Sequence, residues 1–255
     1  MHDRDHVGHF ARDAAPTPAA PHRVTIPVNL HRWEDIAFLH WPVPPASLAP
    51  LLPGGARALV HEGSAWVTMT PFRIHVQPPL IRLPTRLSVF PETNLRTYIA
   101  GPDGRQGLWF LHMEVTSAWF VAALRAIGLP YTRRRMRIDQ REGALRYRSW
   151  SSGTNRQSHD VRVRPTQPLH PAHGDALTRF LTARWAAYHR RGPLLMRTPV
   201  EHPPWALQAA EVEHCEVAGL FSAARLPSPS GPALAHFSRG VPVRVGPPAI
   251  VRRWG

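Results

Sequence analysis

Short stretches of alternating apolar and polar residues, each bounded by proline or glycine, dominate the chain from Arg32 onward. Because successive side chains of a strand point to opposite faces, such alternation predicts β-strands. Five strands are predicted in the first half, at 36–41, 56–60, 65–74, 87–100 and 108–114. The sequence Gly101-Pro102-Asp103-Gly104 is typical of a turn, so residues 87–114 are predicted to form a hairpin.

Two helices and six further strands are predicted after the hairpin. The first helix, at 117–127, has Thr116 or Ser117 as its N-cap and stops at Gly128 and Pro130. A second helix is predicted at 175–189, with Asp175 as its cap and cations in its last turn. Its packing stripe is predicted to hold Phe180, Leu181, Arg184, Trp185 and Tyr188. The strands are predicted as a meander at 133–138, 144–150 and 158–164, and as short strands near 207–212, 233–237 and 241–245.

These elements predict an α+β fold, namely a β-rich barrel with flanking helices. The 255 residues, of which 43% are hydrophobic, suffice for one large domain or two small ones. We expect a single domain at 25–255. Residues 1–24 are rich in His, Asp, Ala and Pro without periodicity, which predicts a flexible N-terminal tail.

One predicted strand carries a stripe of chemically active side chains. Alternation places Glu92, Asn94, Arg96 and Tyr98 on one face of strand 87–100. A carboxylate, an amide, a guanidinium and a phenol supply a base, an anion clamp and a proton donor, which are what a pocket wall needs. The alternative interpretation is an exterior polar face with cross-strand ion pairs.

The next strand offers His112 and Glu114 on one face. They join the stripe only if the register across the turn allows it, and the sequence does not determine that register. An H-x-E pair also suggests a metal, but no third ligand stands at a recognisable spacing. We therefore predict no metal site and no cofactor.

The meander carries one arginine-clad face. Its apolar phase holds Met136, Ile138, Leu145, Tyr147, Val161 and Val163. The opposite phase holds Arg135, Arg137, Arg146, Arg148, Arg162 and Arg164. A solvated outer face is the favoured interpretation; nucleic-acid binding is the weaker alternative.

The chain contains no lysine, so all 31 of its Lys and Arg residues are arginine. This excludes a lysine Schiff base. The formal charge of +14 favours anionic ligands but does not by itself make a nucleic-acid binder. One cysteine, Cys215, permits no internal disulfide and fits a reducing compartment. No signal peptide or long apolar run is evident, so we predict a cytoplasmic protein that does not contact membranes.

Several motifs resemble the YqjF-like family of bacterial proteins, a domain of unknown function. They include Arg32-Trp33-Glu34-Asp35-Ile36-Ala37-Phe38-Leu39-His40-Trp41-Pro42-Val43, Phe90-Pro91-Glu92-Thr93-Asn94-Leu95-Arg96-Thr97-Tyr98 and His202-Pro203-Pro204-Trp205-Ala206-Leu207. That family is similar to the acetoacetate decarboxylase superfamily. The resemblance implies a β-barrel with flanking helices and an interior pocket, and His40 is predicted to join its ligand-binding residues.

The resemblance also bears on the reaction. The Tyr-x-Glu pattern of the decarboxylases falls on Phe90-Pro91-Glu92, and their Gly-x-Pro-Lys-Lys pattern on Gly128-Leu129-Pro130-Tyr131-Thr132. Glu92 is matched, but Tyr131 stands where the imine-forming lysine is needed. A phenol can donate a hydrogen bond but cannot form an imine, so the chain is not predicted to be an acetoacetate decarboxylase.

The first hypothesis is a pocket protein that binds or transforms a small carbonyl- or carboxylate-bearing molecule without Schiff-base chemistry, as a lyase, isomerase or cyclase. Glu92 would be the general base and Tyr131 a donor, with Asn94, Arg96, Tyr98, His112, Glu114 and His40 binding the ligand. The second hypothesis is a noncatalytic binding or sensing domain. The residues leave open whether the pocket is catalytic and whether the chain forms homo-oligomers.

Overall fold

The computed structural model describes residues 16–80, 83–151, 153–154, 156–169 and 175–254, and most of them lie in β-strands. In these residues the strands are β1 (Asn29–Val43), β2 (Arg57–Ala58), β3 (Ala65–Gln77), β4 (Val89–Ala100), β5 (Gln106–Val115), β6 (Tyr131–Arg133), β7 (Arg135–Arg141), β8 (Ala144–Trp150), β9 (Gln157–Pro168), β10 (Ala186–Arg191), β11 (Leu194–Glu201), β12 (Leu207–Glu216), β13 (Leu234–Val245) and β14 (Ala249–Arg253).

Short helices flank this sheet. They are α1 (Pro45–Leu48), α2 (Thr85–Ser88), α3 (Ala118–Arg125), α4 (Ala176–Thr182) and α5 (Ala218–Ala223), with a 3-10 turn at Ala49–Leu51. The Ser117 hydroxyl accepts the Phe120 N–H and caps α3, so Ser117 is the N-cap of the two candidates, Thr116 and Ser117, that the sequence offers. The composition of few helices and many strands confirms the predicted β-rich α+β class.

The sheet curves back on itself around its central strands. The order β11-β10-β5-β4-β3-β1-β13 is closed by a short β11–β13 pairing, at Val200↔Val245 and Glu201↔Arg244. The pairing of β10 with β5 is equally short. The β11–β13 and β10–β5 pairings each consist of only two residue pairs. The sheet is therefore a partial ring, whereas the sequence predicted a barrel.

The remaining strands continue the sheet from β13 as β12-β9-β8-β7 and pack over the outside of the ring. The predicted meander is confirmed as β7, β8 and β9. Its apolar side chains, including Tyr147 and Val161, share a core with Leu39 of β1, Leu95 of β4 and Phe221 of α5. Both faces of β4 are therefore buried.

The predicted second helix is wrong in its second half. Asp175 does cap α4 by accepting the Thr178 N–H at 2.5 Å, but the helix ends at Thr182 and residues from Ala186 form β10. β10 pairs with both β5 and β11, and Gly192, at φ 55°, makes the turn between β10 and β11. Long-range strand pairing here outweighs local helix propensity.

Two other expectations change. The strands predicted at 233–237 and 241–245 are one continuous strand, β13, which crosses Gly240 at φ 126°. Of the predicted tail at 1–24, residues 1–15 lie outside the described residues. Residues 17 and 24 contact the domain, because Trp185 donates to the Thr17 carbonyl at 3.0 Å and the Val24 N–H donates to Glu201 at 2.6 Å.

Candidate functional site

A cavity of about 250 Å³ lies inside the partial ring. Its walls come from β1, β3, β4, β5, β10 and β11, with α3 and β6 at one side. Much of the lining is aromatic or aliphatic, for example Ile36, Phe72, Phe110, Met113, Phe120 and Trp205. A largely apolar chamber with a few polar groups is the usual form of a small-molecule site.

Glu92 and Tyr131 meet in this cavity. The Tyr131 hydroxyl donates to Glu92 Oε1 at 2.9 Å, and both side chains are buried. Tyr131 reaches Glu92 because β6 runs parallel to β5, at Met113↔Tyr131, immediately after the Gly128 turn that ends α3. Burial raises the pKa of Glu92 to about 7, although hydrogen bonds from Tyr131 and Asn94 oppose the rise.

The next inward positions of β4 are Asn94 and Arg96, and both line the cavity. Each is about 6% exposed, so neither depends on bulk water. Among the described residues, no partner reaches Glu92 Oε2, Asn94 Oδ1, Arg96 Nε or the hydroxyl of Thr70, which also lines the cavity. Buried polar atoms without partners are costly, so these four atoms mark positions where a ligand could bind.

Tyr98 continues the stripe but does not line the cavity. Its hydroxyl donates to the Leu181 carbonyl at 2.7 Å, so the Thr68 hydroxyl must donate to it, at 2.5 Å. Tyr98 therefore has no proton to give a ligand. Instead the Arg96 guanidinium lies close enough to the Tyr98 hydroxyl to interact with it, which helps to position that cation.

His40 belongs to the same buried chain and not to the cavity. Its Nδ1 lies 2.8 Å from Thr68 Oγ1 and its Nε2 lies 3.2 Å from His236 Nδ1. Because Thr68 donates to Tyr98, His40 Nδ1 donates to Thr68, and His236 Nδ1 donates to His40. Burial holds the pKa of His40 well below its usual value, so the ring is neutral and supports Tyr98 indirectly.

The structure does not bring His112 and Glu114 into the cavity. A bulge shifts the β4–β5 register between Leu95↔His112 and Arg96↔Phe110. One extra residue reverses the phase of a strand. Phe110 and Met113 consequently face the cavity, while His112 and Glu114 point to the opposite side of β5.

Glu114 lies there in a fully paired cluster. Its oxygens accept from Ser158 at 2.5 Å, Ser149 at 2.6 Å and Arg134 at 3.2 Å. Burial alone would raise the pKa of Glu114, but hydrogen bonds, first that of His112 and then those of the two serines, lower it to about 2. The carboxylate joins β5 to β8 and β9 and is suited to stability, not to proton transfer.

Sequence reasoning missed several cavity residues on distant segments. Arg184, predicted on a helix stripe, lines the cavity together with Trp33, His202 and Trp205. The Trp33 and Trp205 rings stack at 6.1 Å, and His202 lies 4.7 Å from the Trp205 ring. Local periodicity carries no information about these positions, since only the closure of the ring brings them beside β4. Burial, followed by the Arg96 charge, lowers the pKa of His202 to about 4.

The arginine face of the meander is largely solvated, as the favoured interpretation predicts. Its cations are matched by carboxylates: Arg146 forms two hydrogen bonds to Asp160, at 2.8 and 2.6 Å, and Arg148 pairs with Asp139 at 2.7 Å. Arg162 and Arg164 share Glu213. The charge that a nucleic-acid surface would need is therefore partly neutralised within the face.

Within the described residues, no group of three or more His, Cys, Asp or Glu side chains is arranged to hold a metal ion. No helix in the same part of the chain is long and apolar enough to cross a membrane.

Comparison with known proteins agrees with the sequence motifs. The model of the DUF2071 family, described as an uncharacterized conserved protein, matches residues 31–242. Uncharacterized protein YqjF of Bacillus subtilis strain 168 is 28% identical over 224 residues, which cover 87% of this chain and 90% of YqjF.

Two solved structures are similar in fold. An acetoacetate decarboxylase-like enzyme from Sphingomonas wittichii RW1 has a TM-score of 0.65 at 16% identity, covering 96% of this chain and 98% of its own. The enduracididine biosynthesis enzyme MppR, solved in complex with pyruvate, has a TM-score of 0.64 at 13% identity, covering 95% and 100%. The fold is thus acetoacetate decarboxylase-like, and the chain belongs to the DUF2071 family.

Proposed function

We propose that the cavity binds a small carbonyl- or carboxylate-bearing molecule and transforms it by proton transfer, without Schiff-base chemistry. The observation that carries this proposal is that an acid–base group and a buried cation line the same chamber. Glu92 has a pKa of about 7, and Arg96 lies two inward positions further along β4. The reaction class is that of a lyase, isomerase or cyclase.

The charge of the lining favours an anionic ligand. Arg96 is a buried cation of the lining, and among the described residues its Nε has no hydrogen-bond partner. Burial lowers the pKa of the lining histidines His31, His189 and His202, so they add no charge at neutral pH. Burying the Arg96 charge is costly, and a bound carboxylate or enolate would offset that cost.

Glu92 is suited to acid–base work because a pKa of about 7 leaves both of its protonation states populated at neutral pH. Ionised Glu92 can accept a proton from a carbon or hydroxyl of the ligand and return it at another atom. Tyr131 orients the carboxyl through its 2.9 Å hydrogen bond. Arg96, farther along β4, can bind a carboxylate of the ligand and hold the ligand in place while Glu92 transfers the proton.

The proposal is tested by native mass spectrometry of the purified protein, which detects a retained small molecule and identifies it for an assay. Turnover of that molecule should fall at least 100-fold in Glu92→Gln and remain unchanged in Glu211→Gln, the same substitution at an exposed position. Binding without turnover in the native protein would favour the noncatalytic binding or sensing alternative. Binding and turnover unaffected by Glu92→Gln would refute the proposal.

A further inference from the structure

The polar groups of the cavity form a line instead of a cluster. Glu92, Asn94 and Arg96 are successive inward residues of β4, paired across to Phe72, Thr70 and Thr68 of β3. At about 3.3 Å per residue, the Cα atoms of Glu92 and Arg96 are about 13 Å apart. In the part of the chain that the structure describes, no ion pair joins their side chains. The carboxyl and the cation are thus separate ends of one site.

Each end is built for a different chemical group. At one end the Arg96 guanidinium is held beside the Tyr98 hydroxyl, and Arg184 lies with its guanidinium carbon 5.0 Å from the Tyr98 ring. This end suits a carboxylate. At the other end the Glu92 carboxyl and Tyr131 hydroxyl can together accept and donate hydrogen bonds, which suits a hydroxyl, enol or keto oxygen.

The wall between the two ends is apolar. The inward residues of β5 beside the line are Phe110, opposite Arg96, and Met113, opposite Asn94. The Arg96 guanidinium lies beside Tyr98, on the side of Arg96 away from Glu92. A three-carbon oxo acid, with carbon–carbon bonds of about 1.5 Å, is therefore expected to reach one end of the line and not both. A longer apolar chain would cover Phe110 and Met113 and so connect the two ends.

We infer that the ligand is an elongated amphipathic acid, with a carboxylate at Arg96, an apolar body along Phe110 and Met113, and a hydroxyl or carbonyl oxygen at Glu92 and Tyr131. This inference rests on the proposed function, because it assumes that the cavity is the ligand site. Beyond the proposed function, the inference specifies how long the ligand is and which of its ends lies at Arg96.

Isothermal titration of the native protein with matched acids tests this directly. The probes are pyruvate, octanoate and 8-hydroxyoctanoate, with the six- and ten-carbon pairs to vary length. We expect the best hydroxy acid to bind about fivefold to tenfold more tightly than its unsubstituted partner, the gain of one buried hydrogen bond of about 1 kcal/mol. Pyruvate should bind more weakly than either.

The test is decided by whether the terminal hydroxyl strengthens or weakens binding. If the far end of the cavity were only apolar, burying a hydroxyl there would weaken binding, and tighter binding of the unsubstituted acid at all three chain lengths would overturn the inference. Glu92→Leu should abolish the advantage of the hydroxy acid while keeping octanoate affinity, and Arg96→Gln should weaken every acid. The comparison of ligands on the native protein stands even if a variant does not fold.

The outcomes also separate this inference from the proposed function. If octanoate and pyruvate bind in an Arg96-dependent manner but the hydroxyl brings no gain at any length, the anion pocket stands and the two-ended ligand is refuted. If no acid binds, or if Arg96→Gln leaves all affinities unchanged, both are refuted.

Discussion

Replacing Glu92 by glutamine should raise the stability of the folded protein relative to the native chain as the pH rises. The measured quantity is the difference between the free energies of unfolding of the two proteins. The folded protein holds Glu92 at a pKa of about 7, against a usual value of 4.5, because burial penalises its charge. A group with a raised folded pKa contributes its full stability below pH 4.5 and loses it as the pH rises through about 7. Glutamine has no charge to lose.

The magnitude follows from the two pKa values. They differ by about 2.5 pH units, and each unit corresponds to about 1.4 kcal/mol, so ionisation of Glu92 costs the folded state roughly 3 kcal/mol. Glu92 is 3% exposed, so solvent does little to screen this cost. The free-energy difference between Glu92→Gln and the native protein should therefore shift by roughly 3 kcal/mol in favour of the variant between pH 4.5 and pH 8.

The measurement is urea unfolding of both proteins at pH 5, 6, 7 and 8. Other titrating groups are common to the two chains and cancel in the difference. Glu114→Gln is the matched control, because Glu114 is equally buried but has a folded pKa of about 2. Its contribution is present above pH 4.5 and is lost only as the pH falls through about 2, so the control should show a constant loss across this range.

A difference that stays constant within about 0.5 kcal/mol from pH 5 to pH 8 would refute the reasoning, since that is the resolution expected of such comparisons. It would mean that Glu92 is already solvated or paired in the folded state. A difference of the opposite sign would mean that the Arg96 charge, and not burial, determines the protonation of Glu92.

The remaining predictions concern the supporting structure. Tyr131→Phe removes the hydrogen bond that opposes the rise in the pKa of Glu92, so the pH midpoint of the Glu92 effect should move upward; an unchanged or lower midpoint would contradict the assigned role. Thr68→Val interrupts the chain between His40 and Tyr98 and should cost about 1–3 kcal/mol in urea unfolding, with the exposed Thr166→Val as its control. Gly128→Ala should destabilise by more than about 3 kcal/mol, because an added Cβ would lie 1.6 Å from the Arg190 carbonyl at φ 90°; Gly153→Ala, which meets nothing within 4 Å, should not.

Local patterns predicted the part of the site that lies on one strand. Alternation along β4 correctly placed Glu92, Asn94 and Arg96 on one face, because the period of a strand depends only on its own backbone. The turn at 101–104 likewise predicted the β4–β5 hairpin, which is confirmed by the pairing of Ala100 with Gln106. Such features need no knowledge of the rest of the chain.

Features that depend on long-range pairing could not be predicted in this way. The bulge that turns His112 and Glu114 away from the cavity arises from the pairing of β4 with β5. The sequence of neither strand marks its position. Arg184 stands between α4 and β10, and its segment resembled a helix until β5 and β11 paired with the residues that follow. The residues of the cavity wall opposite β4 could therefore be identified only from the ring of paired strands in the structure.

Glu92 and Glu114 illustrate why the residue type alone does not identify a functional group. Glu114 lies opposite Thr93, next to Glu92 across one antiparallel ladder, and both carboxyl groups are buried. Glu114 faces the meander, where several donors reach it and its pKa is about 2. Glu92 faces the cavity, where one oxygen has Tyr131 and the other has no partner among the described residues, and its pKa is about 7. The sheet face determines how many donors reach each carboxyl, and that number distinguishes an ionised structural residue from one able to exchange a proton at neutral pH.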